Sequence, residues 1–351
     1  MRNPAAVHAA AAPAHAGLQR SRWLAGALVL ATAALLLLGA MVGSTGLESW
    51  RHWQADPVAW QIIWDIRLPR TLGAWLAGAL LALAGAVAQG LFRNPLADPY
   101  LLGSASGAAL GAALAMVMAG SADVSLHWMQ RLGMTGMAFL GAAAAVMLTL
   151  LLAKGVQNTL RLLLAGVVVG VVLSAMRDVL ELSFPDILQP MKAFGLGSTA
   201  LVGWEACYLM AAVWVLCMLM AWMLSRVLDG LTLGEATARS LGLPLGPMRM
   251  GLIAVMALAT GAAVAQTGLI AFVGLAAPHL VRSMCRVGQG RSVLLSALMG
   301  GVLLLAADVL ARGLVAPQEL PVGVLTALVG GVYLLWLMHR RNHNTGKGRG
   351  W

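Results

Sequence analysis

Long apolar runs separated by isolated charges dominate the pattern of hydrophobic and polar positions along this chain. The run from Leu72 to Phe92 has no charged residue, and at about 1.5 Å per residue it crosses a hydrocarbon layer of about 30 Å. Ten segments share this character: 23–43, 68–91, 101–120, 132–153, 160–184, 206–225, 250–265, 268–287, 293–316 and 322–338. The pattern therefore predicts an all-α, polytopic membrane protein with about ten transmembrane helices.

The two ends of the chain are more polar and are predicted to lie outside the membrane. We expect residues 1–22 to form a disordered tail, residues 23–341 to form a single transmembrane domain, and residues 342–351 to form a second tail. An even number of spans places both termini on one side. That side would hold sixteen of the 23 basic residues, so the preference of Lys and Arg for the cytoplasmic side predicts cytoplasmic termini.

Composition excludes a soluble globular domain and argues against nucleic-acid binding. Of the 351 residues, 60% are hydrophobic and 10% are charged, a balance that soluble domains of this size do not show. The net charge of +10 comes from basic residues that punctuate apolar segments, whereas nucleic acids are bound by clustered basic surfaces. We therefore expect contact with membrane lipid and none with nucleic acid.

A sharp turn on the cytoplasmic side is predicted between the second and third spans. Pro95 has no backbone donor and disfavours a helical Asn94, so the second span should end there. Asp98 followed by Pro99 is typical of a helix N-cap and its first residue. The third span should carry a smooth face on which another helix packs closely, because glycine recurs every four residues, at Gly103, Gly107 and Gly111.

The longest predicted cytoplasmic loop, between Arg226 and Arg249, carries signals for a short surface helix. Thr232 and Glu235 have the spacing of a capping box, and Glu235 and Arg239 have that of an i, i+4 ion pair. Gly242 marks the helix end. Such a helix either joins two spans passively or docks against another protein and passes movement to the spans.

Charged residues within two spans need partners or water, because an isolated charge in the hydrocarbon layer is costly. Arg177 and Glu181 lie one turn apart in the fifth span, and they form either an ion pair or the outer lining of a polar path. Asp308 and Arg312 have the same spacing in the ninth span and are able to pair. His279 follows a kinking proline in the eighth span, and we interpret it as structural.

The chain offers no arrangement of residues that is typical of an enzyme or a metal site. Cys207, Cys217 and Cys285 lie in or beside spans without metal-ligand spacing. None of the lysines lies in a GxxxxGK[ST] phosphate-binding loop. We therefore predict no catalytic residue, no metal and no cofactor bound by this chain.

The stretch from Arg67 to Gly111 resembles the permease subunits of ABC importers for iron chelates, haem and cobalamin, the FecCD type. The shared pattern is RLPR…GAxLAxxxLAxAGAxxQxxxRNPLADPxLLGxxxGAxxG. Four later segments agree with it: LGEATARSLGL, GLIAFVGLAAPHLVR, ADVLAR and ELPVGVLTALVGG. The resemblance implies a homodimer with the substrate path at its two-fold axis, two ATPase subunits on the cytoplasmic face and a periplasmic substrate-binding protein.

The resemblance also implies roles for particular residues. The segment that docks into the ATPase subunit would comprise Thr232, Gly234, Glu235, Arg239 and Gly242. The outward arginines that pair with acidic residues of the binding protein would be Arg67, Arg70 and Arg312. The fifth and tenth spans would line the path, which assigns to it Arg177, Glu181 and Gly331. The turn on the cytoplasmic side would be formed by Asn94, Pro95, Asp98 and Pro99.

By this resemblance, the chain is a transport subunit of the bacterial inner membrane, and ATP and Mg²⁺ bind to the separate ATPase. The expected cargo is an iron chelate, either a siderophore or haem, with cobalamin as the alternative. Departures from the family pattern at 191–199 and 330–333 leave the ligand open. From other classes, an intramembrane enzyme would need a catalytic pair or metal triad, and an ion-driven carrier would need unpaired midplane acids.

Overall fold

The computed structural model of this chain is a bundle of helices with one very short sheet. It describes residues 4–43, 46–47, 57–120, 127–156, 159–240, 242 and 244–346. The helices within these ranges are α1 (Pro4–Met41), α2 (Pro57–Ile62), α3 (Leu68–Leu91), α4 (Ser104–Ala119), α5 (His127–Leu152), α6 (Thr159–Ser183), α7 (Leu188–Leu196), α8 (Trp204–Met223), α9 (Ser225–Thr232), α10 (Glu235–Ser240), α11 (Leu245–Thr267), α12 (Val273–Met284), α13 (Gln289–Gly313) and α14 (Val322–Gly346).

The remaining regular elements are short. Strands β1 (Val42–Gly43) and β2 (Gly46–Leu47) pair antiparallel. A π-helical turn, Ile63–Arg67, joins α2 to α3, and 3₁₀ turns lie at Pro99–Leu102 and Pro185–Ile187.

The helices account for the predicted membrane spans. Within the described residues, seven helices are long and apolar enough to cross a membrane, and shorter apolar helices lie at Ser104–Ala119 and Val322–Trp336. Helix α12 occupies the predicted eighth span with only 12 residues. The seven long helices, the two shorter ones and α12 correspond to the ten predicted spans, and they confirm the all-α, multi-pass architecture.

Helix α3 is the centre of the bundle, and most of its side chains are buried. Glycine lets other helices approach its backbone. A Cβ atom on Gly78 would lie 2.3 Å from the carbonyl oxygen of Gly300 in α13, and a Cβ atom on Gly85 would lie 1.8 Å from that of Gly274 in α12. Because membrane helices associate through close packing, these glycines allow α12 and α13 to pack directly on the backbone of α3.

The predicted glycine face of the third span is confirmed for two of its three residues. A Cβ atom on Gly107 would lie 2.3 Å from the Gly141 carbonyl oxygen, and one on Gly111 would lie 2.1 Å from that of Met137, so α4 packs closely on α5. Gly103 instead has a φ of +79° and forms the break before α4. That conformation favours glycine for a different reason, the absence of a Cβ clash.

The turn after α3 begins as predicted and then differs. The Asp98 carboxylate accepts a hydrogen bond of 2.8 Å from the Tyr100 N–H, and Pro99 is the first residue of the following helix, which confirms the predicted cap. Asn94 accepts from the Leu96 N–H at 3.0 Å. The capped element is a four-residue 3₁₀ turn, so the third span starts after Gly103 rather than at residue 101.

The predicted eighth span, 268–287, is wrong in its first five residues. Gly268 and Phe272 both have a φ of +69°, and α12 begins only at Val273. The Tyr100 hydroxyl donates to the Ile270 carbonyl at 3.0 Å, and the Leu269 N–H donates to the Phe194 carbonyl at 3.0 Å. Irregular backbone is tolerated in a membrane protein when the protein supplies such hydrogen-bond partners. Hydropathy alone does not reveal an irregular segment of this kind.

The ends of the chain also differ from the prediction. Helix α1 begins at Pro4, so most of the predicted disordered tail, 1–22, is helical; its alanine-rich sequence favours helix. Helix α14 continues to Gly346, so it includes part of the predicted tail 342–351, of which residues 347–351 lie outside the described residues.

Helix α13 defines the two ends of the bundle. Its 25 residues span about 37 Å at about 1.5 Å per residue. At its start, the Gln289 N–H donates to the Asp229 carboxylate of α9 at 2.9 Å, next to α10. At its other end lie Asp308 and Arg312. We call these the α10 end and the arginine end.

Candidate functional site

Helix α10 is a short helix between two glycines with left-handed backbone conformations. Gly234 has a φ of +104° and Gly242 a φ of +77°. The Gly242 N–H donates to the Arg239 carbonyl at 2.9 Å, which confirms the predicted helix end. Because only glycine adopts these conformations without strain, the two glycines determine where α10 begins and ends.

The predicted capping box at Thr232 and Glu235 is wrong. Thr232 is the last residue of α9, and its hydroxyl donates to the Asp229 carbonyl at 2.6 Å. The Gly234 carbonyl instead accepts the first hydrogen bond of α10, from the Ala238 N–H at 3.0 Å. The spacing of the two side chains was correct for a cap, but the turn at Gly234 places them in different helices.

The Glu235 carboxylate joins two arginines. One oxygen lies 2.7 Å from the Arg239 guanidinium, which confirms the predicted i, i+4 pair, and the other lies 3.1 Å from the Arg249 guanidinium. The hydrogen bond from Arg249 is the main cause that lowers the pKa of Glu235 below its ordinary value. Glu235 is therefore ionised at neutral pH and holds α10 against α11.

Arg249 is a site residue that sequence reasoning missed. It is 5% exposed, and its guanidinium also donates to the Val156 carbonyl at 3.3 Å, in the turn between α5 and α6. A cavity of about 200 Å³ lies beside it, lined by Val156, Arg239, Leu245, Gly246 and Arg249. In the sequence, Arg249 is one basic residue among several near span ends, and nothing local distinguishes it.

At the arginine end, the fully buried Asp308 is the centre of a polar network. Its carboxylate accepts hydrogen bonds from Arg312 and from the Thr199 hydroxyl, and it lies 3.4 Å from Arg70. The side chain of Asp308 is 0% exposed. The structure therefore contains the pairing of Asp308 with Arg312 that their spacing permits.

The three arginines assigned to binding-protein contact come together here, but two of them do not form an open surface. Arg312 is 1% exposed and donates to the Gly39 carbonyl and the Thr71 hydroxyl at 3.0 and 3.2 Å. Arg67 is 8% exposed and lies 3.5 Å from the Ala40 carbonyl. The end of α1 covers both side chains, so direct outward contact by Arg67 and Arg312 is wrong for this conformation.

Arg70 connects the buried network to the surface. Its guanidinium lies 2.7 Å from the carboxylate of Glu319, whose side chain is 27% exposed. The described ion pairs of the network thus join two arginines, Arg70 and Arg312, to two carboxylates, Asp308 and Glu319.

The residues assigned to the substrate path lie on two helices. Arg177 pairs with Asp178 at 2.6 Å and with Glu181 at 3.2 Å, so the predicted ion pair is present on α6. Gly331 of α14 has open space where a Cβ atom would project. A cavity of about 650 Å³ borders α6, and Asp98 and Asp178 are among the residues that line it.

Other chemistry-bearing residues have structural surroundings. The His279 and Tyr333 rings meet edge to face with centroids 6.0 Å apart, and so join α12 to α14. Cys207, Cys217 and Cys285 are buried free thiols. Among the described residues, no group of three or more His, Cys, Asp or Glu side chains is arranged to hold a metal ion.

Comparison with known proteins shows what this chain is similar to. The model of the FecCD transport family matches residues 29–340. The chain is 38% identical over 331 residues to the hemin transport system permease protein HmuU of Yersinia pestis, covering 93% of this chain and 98% of that protein. It is also 38% identical over 330 residues to the vitamin B12 import system permease protein BtuC of Escherichia coli O157:H7, covering 91% and 95%.

A solved structure shares the architecture. It is described as a metal-chelate type ABC transporter in an inward-facing conformation, with a TM-score of 0.81 and 30% sequence identity over 91% of this chain and 99% of that chain.

Proposed function

Because this chain belongs to the FecCD transport family and is thus the permease subunit of an ABC importer, not an enzyme, we propose that its cargo is an iron chelate. The cargo, a siderophore or haem, would move from the periplasm to the cytoplasm. The similarity to a hemin permease over 93% of this chain is the observation that carries this proposal. The similar identity to a vitamin B12 permease makes cobalamin the second candidate.

We propose that the working assembly contains two copies of this chain, two ATPase subunits and a periplasmic substrate-binding protein. ABC importer permeases work with ATPase subunits, and here ATP and Mg²⁺ would bind to those subunits. The chain is a multi-pass membrane protein. We place it in the bacterial inner membrane with both termini and the α10 end on the cytoplasmic side, because sixteen of its 23 basic residues then lie there.

Helix α10 is the proposed contact with the ATPase. Its surface includes Arg239, which is 61% exposed, and its position between two spans allows it to pass movement to both. ATP binding would displace α10 and switch the two permease copies between outward-open and inward-open forms by a rigid-body transition. The chain would perform no covalent chemistry.

The arginine end is the proposed contact with the binding protein. Of the ion pairs described at this end, that of Arg70 with Glu319 is the partly exposed one. Arg70 is therefore the arginine that an acidic residue of a partner would reach. An acidic residue of the binding protein would take the place of Glu319 at Arg70. Arg67 and Arg312 would remain buried behind this contact.

The cargo path is proposed to run along α6 and α14. Gly331 leaves open space on α14, and the ion pairs of Arg177 with Asp178 and Glu181 give α6 a polar outer end without a bare charge. Large chelates would pass along this path without tight binding to the permease.

Transport by the reconstituted complex tests the proposal. The permease, co-expressed with its ATPase subunit, is placed in proteoliposomes and supplied with haemin, ferric ferrichrome or cyanocobalamin together with the binding protein. We expect ATP-dependent uptake of haemin or ferrichrome, and loss of stimulated ATP hydrolysis when Glu235→Lys is combined with Arg239→Glu. The control is Arg291→Met, an exposed arginine at the start of α13.

The alternatives give different results in the same assay. Uptake of cyanocobalamin alone would select the cobalamin importer. Uptake that proceeds without any ATPase subunit would overturn the ABC importer proposal in favour of an ion-driven carrier.

A further inference from the structure

We propose that Arg249 is the positioning residue that transmits movement of α10 to the transmembrane helices. This inference rests on the proposed function, in which an ATPase subunit displaces α10. Arg249 itself contacts neither the cargo nor the nucleotide in that function. It acts through Glu235 on one side and through the turn between α5 and α6 on the other.

The backbone alone provides a compliant connection for α10. The helix has six residues and is bounded by Gly234 and Gly242, both in left-handed conformations. Glycine has the greatest conformational freedom of all residues. A push on α10 would therefore be absorbed by rotation at these two positions unless side chains connect the helix to the bundle.

Two side chains of α10 make such connections, and they differ in kind. Ala238 is 0% exposed, and its methyl group packs against the bundle without forming a directional bond. Glu235 uses both carboxylate oxygens: one lies 2.7 Å from Arg239 and the other 3.1 Å from Arg249. Charge-assisted hydrogen bonds are stronger and more directional than neutral contacts, so the pair with Arg249 is the stiff connection.

Arg249 distributes this connection over three elements. It belongs to α11 and binds Glu235 of α10, and it also donates to the Val156 carbonyl at 3.3 Å. Val156 is 7% exposed and lies in the turn that leads into α6, the helix that we assign to the cargo path. One buried guanidinium thus joins the ATPase contact to the turn that precedes a path helix and to α11, which packs against α3.

The contrast with Arg239 shows that position, not charge alone, creates the connection. Arg239 binds the same carboxylate but is 61% exposed and lies on α10 itself. Its pair stabilises the helix internally. Arg249 is 5% exposed and lies 14 residues away from Glu235, so its pair crosses from one element to another.

The test separates assembly, ATP hydrolysis and transport in the reconstituted complex. Arg249→Met removes the charge at similar length, Arg249→Lys keeps it, and Arg291→Met is the matched control on an exposed arginine. We expect Arg249→Met to retain the ATPase subunit and hydrolyse ATP, while haemin import per ATP falls by roughly two- to thirty-fold, the range for residues that couple distant sites. Arg249→Lys should recover part of that loss.

A distance measurement provides a readout that a structural role alone would not change. Spin labels at Thr237→Cys on α10 and Leu160→Cys on α6 report the separation of the two helices. We expect a narrow distance distribution in the otherwise unchanged protein, with and without ATP, and a broad one in Arg249→Met. If Arg249→Met does not fold, Glu235→Gln removes the same ion pair by changing its more exposed residue.

The outcomes distinguish the inference from the function on which it rests. Normal haemin import per ATP and a narrow distance distribution in Arg249→Met or Glu235→Gln would overturn the role of Arg249 and leave the importer intact. Failure of the unsubstituted chain to bind any ATPase subunit would overturn the proposed function itself. A broad distribution in the variants with normal import would also count against transmission through Arg249.

Discussion

Removing the carboxylate of Asp308 should destabilise the protein strongly, because it leaves buried positive charge uncompensated. Asp308 is 0% and Arg312 is 1% exposed. Without Asp308, Arg312 retains only the Gly39 carbonyl and the Thr71 hydroxyl as described partners. Breaking a buried ion pair from one side costs about 3–5 kcal/mol, and we expect Asp308→Ala to lower the free energy of unfolding by that amount.

The double replacement shows whether charge is the cause. Asp308→Leu combined with Arg312→Met removes both charges, and replacement of a buried pair by apolar residues is often nearly neutral, so most of the lost stability should return. The control is Glu181→Ala, which breaks the partly exposed pair with Arg177 and should cost less than about 1 kcal/mol.

The assay is reversible unfolding in mixed detergent micelles, followed by tryptophan fluorescence. The reasoning is refuted if Asp308→Ala costs no more than the Glu181→Ala control. It is also refuted if the double variant is as unstable as the sum of its two single substitutions, because the two residues would then not compensate each other.

Two further predictions concern the two ends of the bundle. Glu319→Gln should strengthen binding-protein docking by up to about fivefold, because it frees Arg70. That factor is equivalent to the roughly 1 kcal/mol that a partly exposed ion pair contributes. Weaker docking of this variant in a pull-down titration would contradict the prediction. Arg249 lowers the pKa of Glu235, so the ion pair that joins α10 to α11 should be fully formed at pH 7. It should be lost only as the pH falls below the ordinary glutamate pKa of about 4.3. The separation of spin labels on α10 and α6 measures this, and Glu235→Gln should show no such pH dependence.

The approximate number of membrane spans and their helical type followed from the sequence, because the membrane imposes simple local requirements. A segment must be apolar to cross the hydrocarbon layer and helical to satisfy its backbone groups. Local chemistry also located the Asp98 cap, the end of α10 at Gly242 and the pair of Glu235 with Arg239. Each of these depends on residues no more than four positions apart.

Sequence reasoning went wrong where the same local pattern fits two arrangements. Thr232 and Glu235 have capping-box spacing, but the turn at Gly234 separates them. The segment that begins at Gly268 is apolar, yet its first residues are irregular because Tyr100 and Phe194 supply hydrogen-bond partners from other parts of the chain.

What only the tertiary structure decided is which charges are buried and what they connect. Thr71 and Arg312 are 241 positions apart, and Val156 and Arg249 are 93 positions apart, so no local pattern reveals these contacts. The sequence by itself determined an importer permease with about ten spans and a short surface helix. Packing around α3 then decided that Arg312 lies inside and that Arg249 holds α10, because burial and ion pairing depend on neighbours that folding brings together.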